Sequence, residues 1–346
     1  MLGGGVFVTQ NKVLPGSYIN FINASRVTSS VGERGTVAVA LAIGGESSGK
    51  LVELTRSDFV QNSETLLGVK YDDAKVKPLR EIFLHASKVY LYNLGDSNTV
   101  ADACAAFEPY DFNVLCAYTG ESADITTYIT QVKDWRDEMG KKCQVVVYNQ
   151  SNPDHEGVIN VVSTVSDDGA DPFALIAWVA GAEAGCSVNE SCTNMIYDGE
   201  YTVVTNKTQA QLETCITDGQ IVFHNVYGEV RLLEDVNSLK STTADKGEDF
   251  KNNQTIRVID QIANDIAKLF NTKYLGKIPN NASGRVSLWA DIVAHHRELE
   301  RIQAIENFDA TLLTVEQGTS KKSVVVNDVI TVTNCMSQLY MTIVVQ

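Results

Sequence analysis

The 346 residues carry 28 Lys and Arg against 43 Asp and Glu, a formal net charge of −15 with a pI near 4.8. With 44% hydrophobic and 21% charged residues the composition is that of a folded protein, and the length suffices for two or three domains of roughly 100–200 residues each. Wholesale disorder is excluded, and the surplus of negative charge with scattered bases argues against non-specific nucleic-acid binding, because such a surface repels phosphate.

Seven cysteines, Cys104, Cys116, Cys143, Cys186, Cys192, Cys215 and Cys335, form no CxxC, and their odd number argues for reduced thiols rather than a disulfide framework. The first residues lack a basic region followed by an apolar run, and no window of about 18 apolar residues occurs, so neither a signal peptide nor membrane insertion is expected.

In chain order, residues 1–25 combine three glycines and Pro15-Gly16 with strand-like residues, Val6, Val8, Tyr18, Ile19 and Phe21, which reads as an extended β arm. Residues 26–198 form an α/β region. Its first part, 26–60, reads as a β-hairpin: an apolar strand over 36–43, a glycine-rich turn over 44–49 and a second strand over 51–54. Its second part, 85–190, reads as a small parallel α/β sheet domain, with strands near 88–92, 113–118 and 143–148. Helices over 100–107 and through Ile125, Tyr128, Ile129, Val132 and Trp135 separate those strands, and a wholly apolar helix over 172–181 follows.

Residues 199–322 read as an α+β C-terminal domain with a helix over 208–217, a hairpin turning at Tyr227-Gly228 and two long amphipathic helices. The first helix carries Ile256, Ile259, Ile262, Ile266 and Leu269 on one face; the second carries Leu288, Ile292, Leu299 and Ile302. Both faces need a sheet to cover them. The last segment, 323–346, supplies strand candidates through Val324, Val326, Ile330, Val332, Tyr340, Thr342 and Val344, a C-terminal β arm without an evident partner in the chain.

No chemical motif is complete. Gly44-Gly45-Glu46-Ser47-Ser48-Gly49-Lys50 approaches a phosphate-binding loop, and a nucleotide-binding protein built on it is the alternative reading. Position 51 is Leu51 rather than Ser or Thr, and a strand follows where a helix should cradle phosphate. His295 and His296 beside Glu298 and Glu300 lack the spacing of helical metal ligands; His296 reads as a boundary residue and His295 as solvent-facing. Asp154-His155-Glu156 has no nucleophile partner, and the acidic run over 166–171 lacks the alternation of a calcium loop. No catalytic, metal or cofactor residue is expected. The unpartnered ends point instead to assembly.

One resemblance spans most of the chain. Residues 233–239, then Phe250-Lys251-Asn252-Asn253-Gln254-Thr255-Ile256-Arg257-Val258-Ile259-Asp260, Tyr274-Leu275-Gly276-Lys277-Ile278 and the run from Glu298 to Phe308 are similar to the C-terminal region of contractile tail sheath proteins. Upstream, Arg34-Gly35-Thr36-Val37-Ala38, Glu53-Leu54-Thr55 and Trp178-Val179-Ala180-Gly181 follow in the same order, and Leu339 to Val345 close the match. The type is that of tailed phages and phage-tail-like particles of Gram-positive bacteria. The resemblance implies a structural subunit, not an enzyme, without cofactor. It implies hexameric rings stacked helically around a tail tube, with baseplate and tail terminator proteins as further partners. N- and C-terminal arms would add strands to neighbouring subunits, and contraction from a metastable extended state would drive the tube through a cell envelope. The expected location is a virion tail or phage-tail-like particle assembled in the host bacterial cytoplasm.

Overall fold

The structure is a computed structural model that describes residues 31–345; the arm candidates Val6, Val8, Tyr18, Ile19 and Phe21 lie outside the described residues. The first unit runs β1 (Thr36–Leu41), β2 (Leu51–Thr55), α1 (Arg56–Leu67), α2 (Lys77–Ile82), β3 (Lys88–Asn93), α3 (Val100–Phe107), β4 (Val114–Cys116), α4 (Ser122–Asp137), β5 (Gln144–Tyr148), β6 (Val158–Val161), α5 (Leu175–Gly185), α6 (Gln209–Thr217) and β7 (Gln220–Ile221). The strands form one seven-stranded sheet, ordered β2-β3-β1-β4-β5-β6-β7, parallel throughout except for the antiparallel edge pair β2 and β3.

Period-two alternation sorts the strand side chains into two cores. Val37, Val39 and Leu41 of β1 point with Leu91 and Val146 into a layer covered by α1, α2 and α5, while Ala38 and Ala40 point with Tyr92, Leu115 and Val147 toward α3 and α4. Helix α5 has every residue from Leu175 to Ala184 buried, and a side chain at Gly181 would meet the Ile82 carbonyl oxygen at 2.4 Å, so the contact between α5 and α2 requires glycine.

The hairpin expected over 26–60 is not formed. β3 lies between β1 and β2, pairing Val37 with Val89 on one side and Leu54 with Val89 on the other. The reason is Asn93 at the end of β3. Its Oδ1 accepts from the backbone N–H of Ile43, Gly44 and Gly95, each at 3.1 Å, and its Nδ2 donates to Gly44 O and Ser47 Oγ. The glycine-rich loop therefore wraps around the tip of β3 instead of folding β2 back onto β1. The sequence reading also passed over α1, although Thr55 and Asp58 form a capping box at its start, and over β6.

The sheet extends beyond the expected boundary at 198/199, since β7 is its last strand. A hairpin of β8 (Phe223–Val226) and β9 (Glu229–Leu232) follows, and Phe223 and Leu232 belong to the same core as β1 and α5. The second unit contains α7 (Asn253–Leu269), α8 (Ala282–Arg301), β10 (Ile305–Glu306), β11 (Thr314–Gln317), β12 (Val324–Asn327) and β13 (Thr331–Val332). Its core joins Val258, Leu288, Ile292, Leu299, Ile305, Phe308 and Leu313. The cover that the helix faces required is two antiparallel ribbons, β11 with β12 and β10 with β13.

Candidate assembly site

Residues 324–327 and 331–332 are paired inside the chain, contrary to the expectation that the C-terminal strands lack partners. Val324 lies opposite Gln317, Val326 opposite Val315, and Val332 opposite Ile305, while Val324, Ile330 and Val332 pack on the α7–α8 core. The pairing is local: a tight connection closes β11 onto β12, with the Gly318 N–H donating to Ser323 O at 2.9 Å. The unrecognised element was β11, whose charged and polar residues Glu316 and Gln317 hide its strand character. Residues 336–345 are different. They form no strand, and Leu339, Tyr340, Met341, Ile343, Val344 and Val345 are all at least 71% exposed. Tyr340, Thr342 and Val344 alternate with Leu339, Met341, Ile343 and Val345, the pattern of a strand with two usable faces. A contiguous apolar segment of this kind marks an interaction site.

Beneath the ribbons, the first half of α7 fastens the second unit to the first. Arg257 is buried and donates from Nη2 to Glu183 Oε2 of α5 at 2.6 Å and to Asp235 Oδ2 at 3.2 Å, and from Nη1 to Glu190 O. Burial, reinforced by the neighbouring Asp235, pushes the Glu183 carboxyl well up, while Asp235, though equally buried, is held below the usual carboxylate range by Arg257. One turn along, Asp260 accepts both guanidinium branches of Arg136 from α4, at 2.5 and 2.9 Å. Gln144 of β5 reaches Asn253 at 3.0 Å. Burying these charges is tolerable only because each ion finds its opposite. Sequence reasoning missed the joint. Its available signals were a lone Glu in an apolar helix and an Arg between Ile256 and Val258.

The chemical candidates lose their ligand capacity on inspection of their partners. In the 44–50 loop, the Ile43 and Gly44 N–H groups are spent on Asn93, Lys50 donates to Glu46 O, and the segment after Lys50 is β2 rather than a helix. His155 accepts the Gly157 N–H at Nδ1, which puts the ring proton on Nε2, facing Asp137 and Glu156 at 3.3 and 3.8 Å. A metal at Nε2 would have to move that proton to Nδ1 and break the Gly157 contact, and Glu156 is already held by Lys246 at 2.7 Å. Glu183, Cys192 and Asp235 already surround the Arg257 guanidinium, and the hydrogen bond with Cys186, with burial, pushes the Cys192 thiol well up. His295 and His296 are both buried, so the expectations of a solvent-facing His295 and a boundary His296 are corrected: Asp265 on α7 draws the first ring inward, and Asp328 holds the second. No helix among the described residues is long and apolar enough to cross a membrane.

Comparison with known proteins agrees with this architecture. Residues 96–238 match the family model of the phage tail sheath protein central domain, and residues 245–346 that of the phage tail sheath C-terminal domain. The break between them falls in the link between the last core residue of the first unit, Leu232, and the start of α7 at Asn253. The sheath tail protein of Desulfitobacterium hafniense is 26% identical, with a TM-score of 0.76 over 92% of this chain and 100% of that one. The anti-feeding prophage helical sheath in its contracted state, at 14% identity, shares the fold with a TM-score of 0.71 over 96% of this chain and 99% of that one. The tail sheath protein of Clostridium phage phiCD119 is 27% identical over 229 residues, 66% of this chain and 64% of that protein. The chain spans between 31% and 64% of the length of the curated relatives it matches. Two family matches in chain order, over both structural units, establish that this chain belongs to the phage tail sheath family, whose members are structural subunits and not enzymes.

Proposed function

We propose that the chain is the repeating subunit of a contractile tail sheath, stacking as hexameric rings in a helical tube around a tail tube. Contraction from a metastable extended state would drive that tube through a target envelope, within a virion tail or phage-tail-like particle assembled in the host bacterial cytoplasm. The observation that carries the reading is the exposed, alternating segment 336–345 beside short ribbons with free edges. An unpaired row of backbone N–H and C=O groups accepts a further strand, whose main-chain bonds can persist while the domains to which it is tied move. Tyr340, Thr342 and Val344 are the C-terminal linking residues, and Val6, Val8, Tyr18, Ile19 and Phe21 are the N-terminal ones. Val324, Val326, Ile330 and Val332 belong to the receiving side. Contacts of this head-to-tail kind, which do not close, generate a helix of subunits. The partners are further copies of the chain, the tube protein, and baseplate and terminator proteins, with neither nucleic acid nor membrane.

Electron microscopy of the protein co-expressed with its tube protein tests the reading: ordered tubes of hexameric rings are expected. Monomers under every condition would overturn it, and ordered sheaths of normal length from a chain lacking residues 1–15 would remove the N-terminal arm from it.

A further inference from the structure

Two adjacent histidines of α8 lie at the centre of the second unit, His295 2% and His296 0% exposed. His295 Nε2 is 2.9 Å from Asp265 Oδ2, the two Nδ1 atoms face each other at 3.3 Å, and His296 Nε2 is 2.6 Å from Asp328 Oδ2. Asp265 Oδ2 also accepts the Gly32 N–H at 3.0 Å, and its Oδ1 accepts from Gln261 Nε2 at 2.9 Å. Asp328 sits in the link between β12 and β13. One unbroken chain of hydrogen bonds therefore runs from Gly32, at the start of the described residues, through α7 and α8 to the segment that leads into 336–345.

The contacts can all be satisfied by only one arrangement of protons. An ionised carboxylate only accepts, so both Nε2 atoms donate, and the central contact needs one Nδ1–H and one bare Nδ1. With both carboxylates accepting, every contact is matched when the four ring nitrogens share three protons. A fourth proton would set two N–H groups against each other. Removal of one would leave a contact without hydrogen. The charged groups facing the pair are Asp265 from α7 and Asp328 from the β12–β13 link; the loop after β10 presents the Phe308 ring at 5.0 Å from His296, with the Arg297 guanidinium 5.3 Å from that ring. The N-terminal segment presents the Gly32 amide among the described residues.

We propose that Asp265, His295, His296 and Asp328 form a proton-dependent latch that fastens the roots of the N-terminal and C-terminal segments to one helix pair, so that disturbing either root loosens the other. The latch lies within a single chain and stands whether or not the sheath reading does.

Hydrogen exchange on the monomeric fraction of the full-length protein tests it, with rates expressed as protection factors to remove the intrinsic effect of pH. Asp328→Asn keeps an acceptor for His296 but removes the charge that holds the shared proton. The expected result is about a tenfold loss of protection at residues 31–35, which Asp328 does not touch, with β1 and β5 unchanged; that is the scale of one charge-assisted hydrogen bond. Unchanged protection at 31–35 in a folded variant would overturn the latch. Should the variant lose β1 protection altogether, acidification of the wild-type protein decides. Joint loss of protection at 31–35 and 328–333, ahead of β1, supports the latch, and loss at one root alone or at neither refutes it.

Discussion

In β1, β3, β5 and β6 nearly every side chain is buried, whereas in β11, β12 and β13 none is. The seven-stranded sheet is covered on both faces by helices, so its strands need nothing from outside. The ribbons of the second unit have two strands each, a length of sheet that is marginal alone and that here depends on α7 and α8. The first unit is thus a completed fold and the second a partly open one, with the α7 joint holding them in register. The division sets a rigid, two-sided sheet beside short ribbons whose outer strands carry no further partner among the described residues.

That contrast can be attacked at its strongest point first. Trp178 of α5 is fully buried, donates to Asp198 Oδ1 at 2.8 Å and packs on His85, Tyr197 and Phe223. Trp178→Ala should cost about 3–5 kcal/mol in urea unfolding, the usual loss when a large core ring leaves a cavity. Arg257→Met leaves Asp235 ionised and buried without its partner, at a cost of about 3 kcal/mol or more. It acts at the joint, so the transition followed by a probe in the sheet should separate from one followed in α8. Coincident transitions would show that the two units unfold as one body regardless of the joint.

Glu183→Gln is the milder change at the same place. Its carboxyl is already driven toward the neutral form by burial, so an amide of equal shape should cost about 1 kcal/mol or less. The sign with pH follows: a carboxyl whose folded pKa is raised makes the native state bind more protons than the unfolded one, so wild-type stability falls as pH climbs above the ordinary 4.5. The Gln variant lacks that decline, and the gap between the two should narrow or reverse from pH 4 upward, as denaturation at several pH values would show.

How much of this was legible depended on where the deciding interactions lie. Elements built on their own periodicity were readable: α3 coincides with the apolar spacing and β5 with its run of valines, whereas the α7 stripe holds only toward Ile262, Ile266 and Leu269, the first half of the helix burying Asn253, Arg257 and Asp260 instead. The β1–β2 pairing was not, because a loop of glycines flanked by two strands has the same local sequence whether the strands pair or a third enters between them. Asn93, fifty residues from Ile43, decides it. The inter-unit joint was hidden for a similar reason, since Glu183, Asp235 and Arg257 come together only in the fold. β11 lacks apolar alternation because half of each ribbon faces water, which made β12 look unpartnered.

Asp154 offers a smaller test of the link that leads to α7. It accepts from Ser241 Oγ and from the Ser241 and Lys240 N–H groups, which hold its carboxyl down at about 2 against an ordinary 3.8. A depressed carboxylate contributes stability above its unfolded pKa that disappears as pH falls through the folded value. Because Asp154 sits at φ 42°, where Asn is tolerated and Ala is strained, Asp154→Asn is the test: it should weaken the protein at neutral pH by less than about 1 kcal/mol, because the site is largely solvated, and approach wild type as pH falls toward 2.

The smallest effect on stability should accompany the largest on assembly. Val344 is 81% exposed, so Val344→Asp removes no buried contact within the chain and should shift unfolding by no more than about 0.5 kcal/mol. If the segment 336–345 pairs with a neighbouring copy, the same change puts a carboxylate into a buried strand face, where its desolvation is uncompensated. Tubes should then fail to form while the monomer's melting temperature is unchanged. A monomer destabilised by more than about 1 kcal/mol would mean that the tail docks on its own chain in solution, and the contrast between a finished and an open unit would not hold.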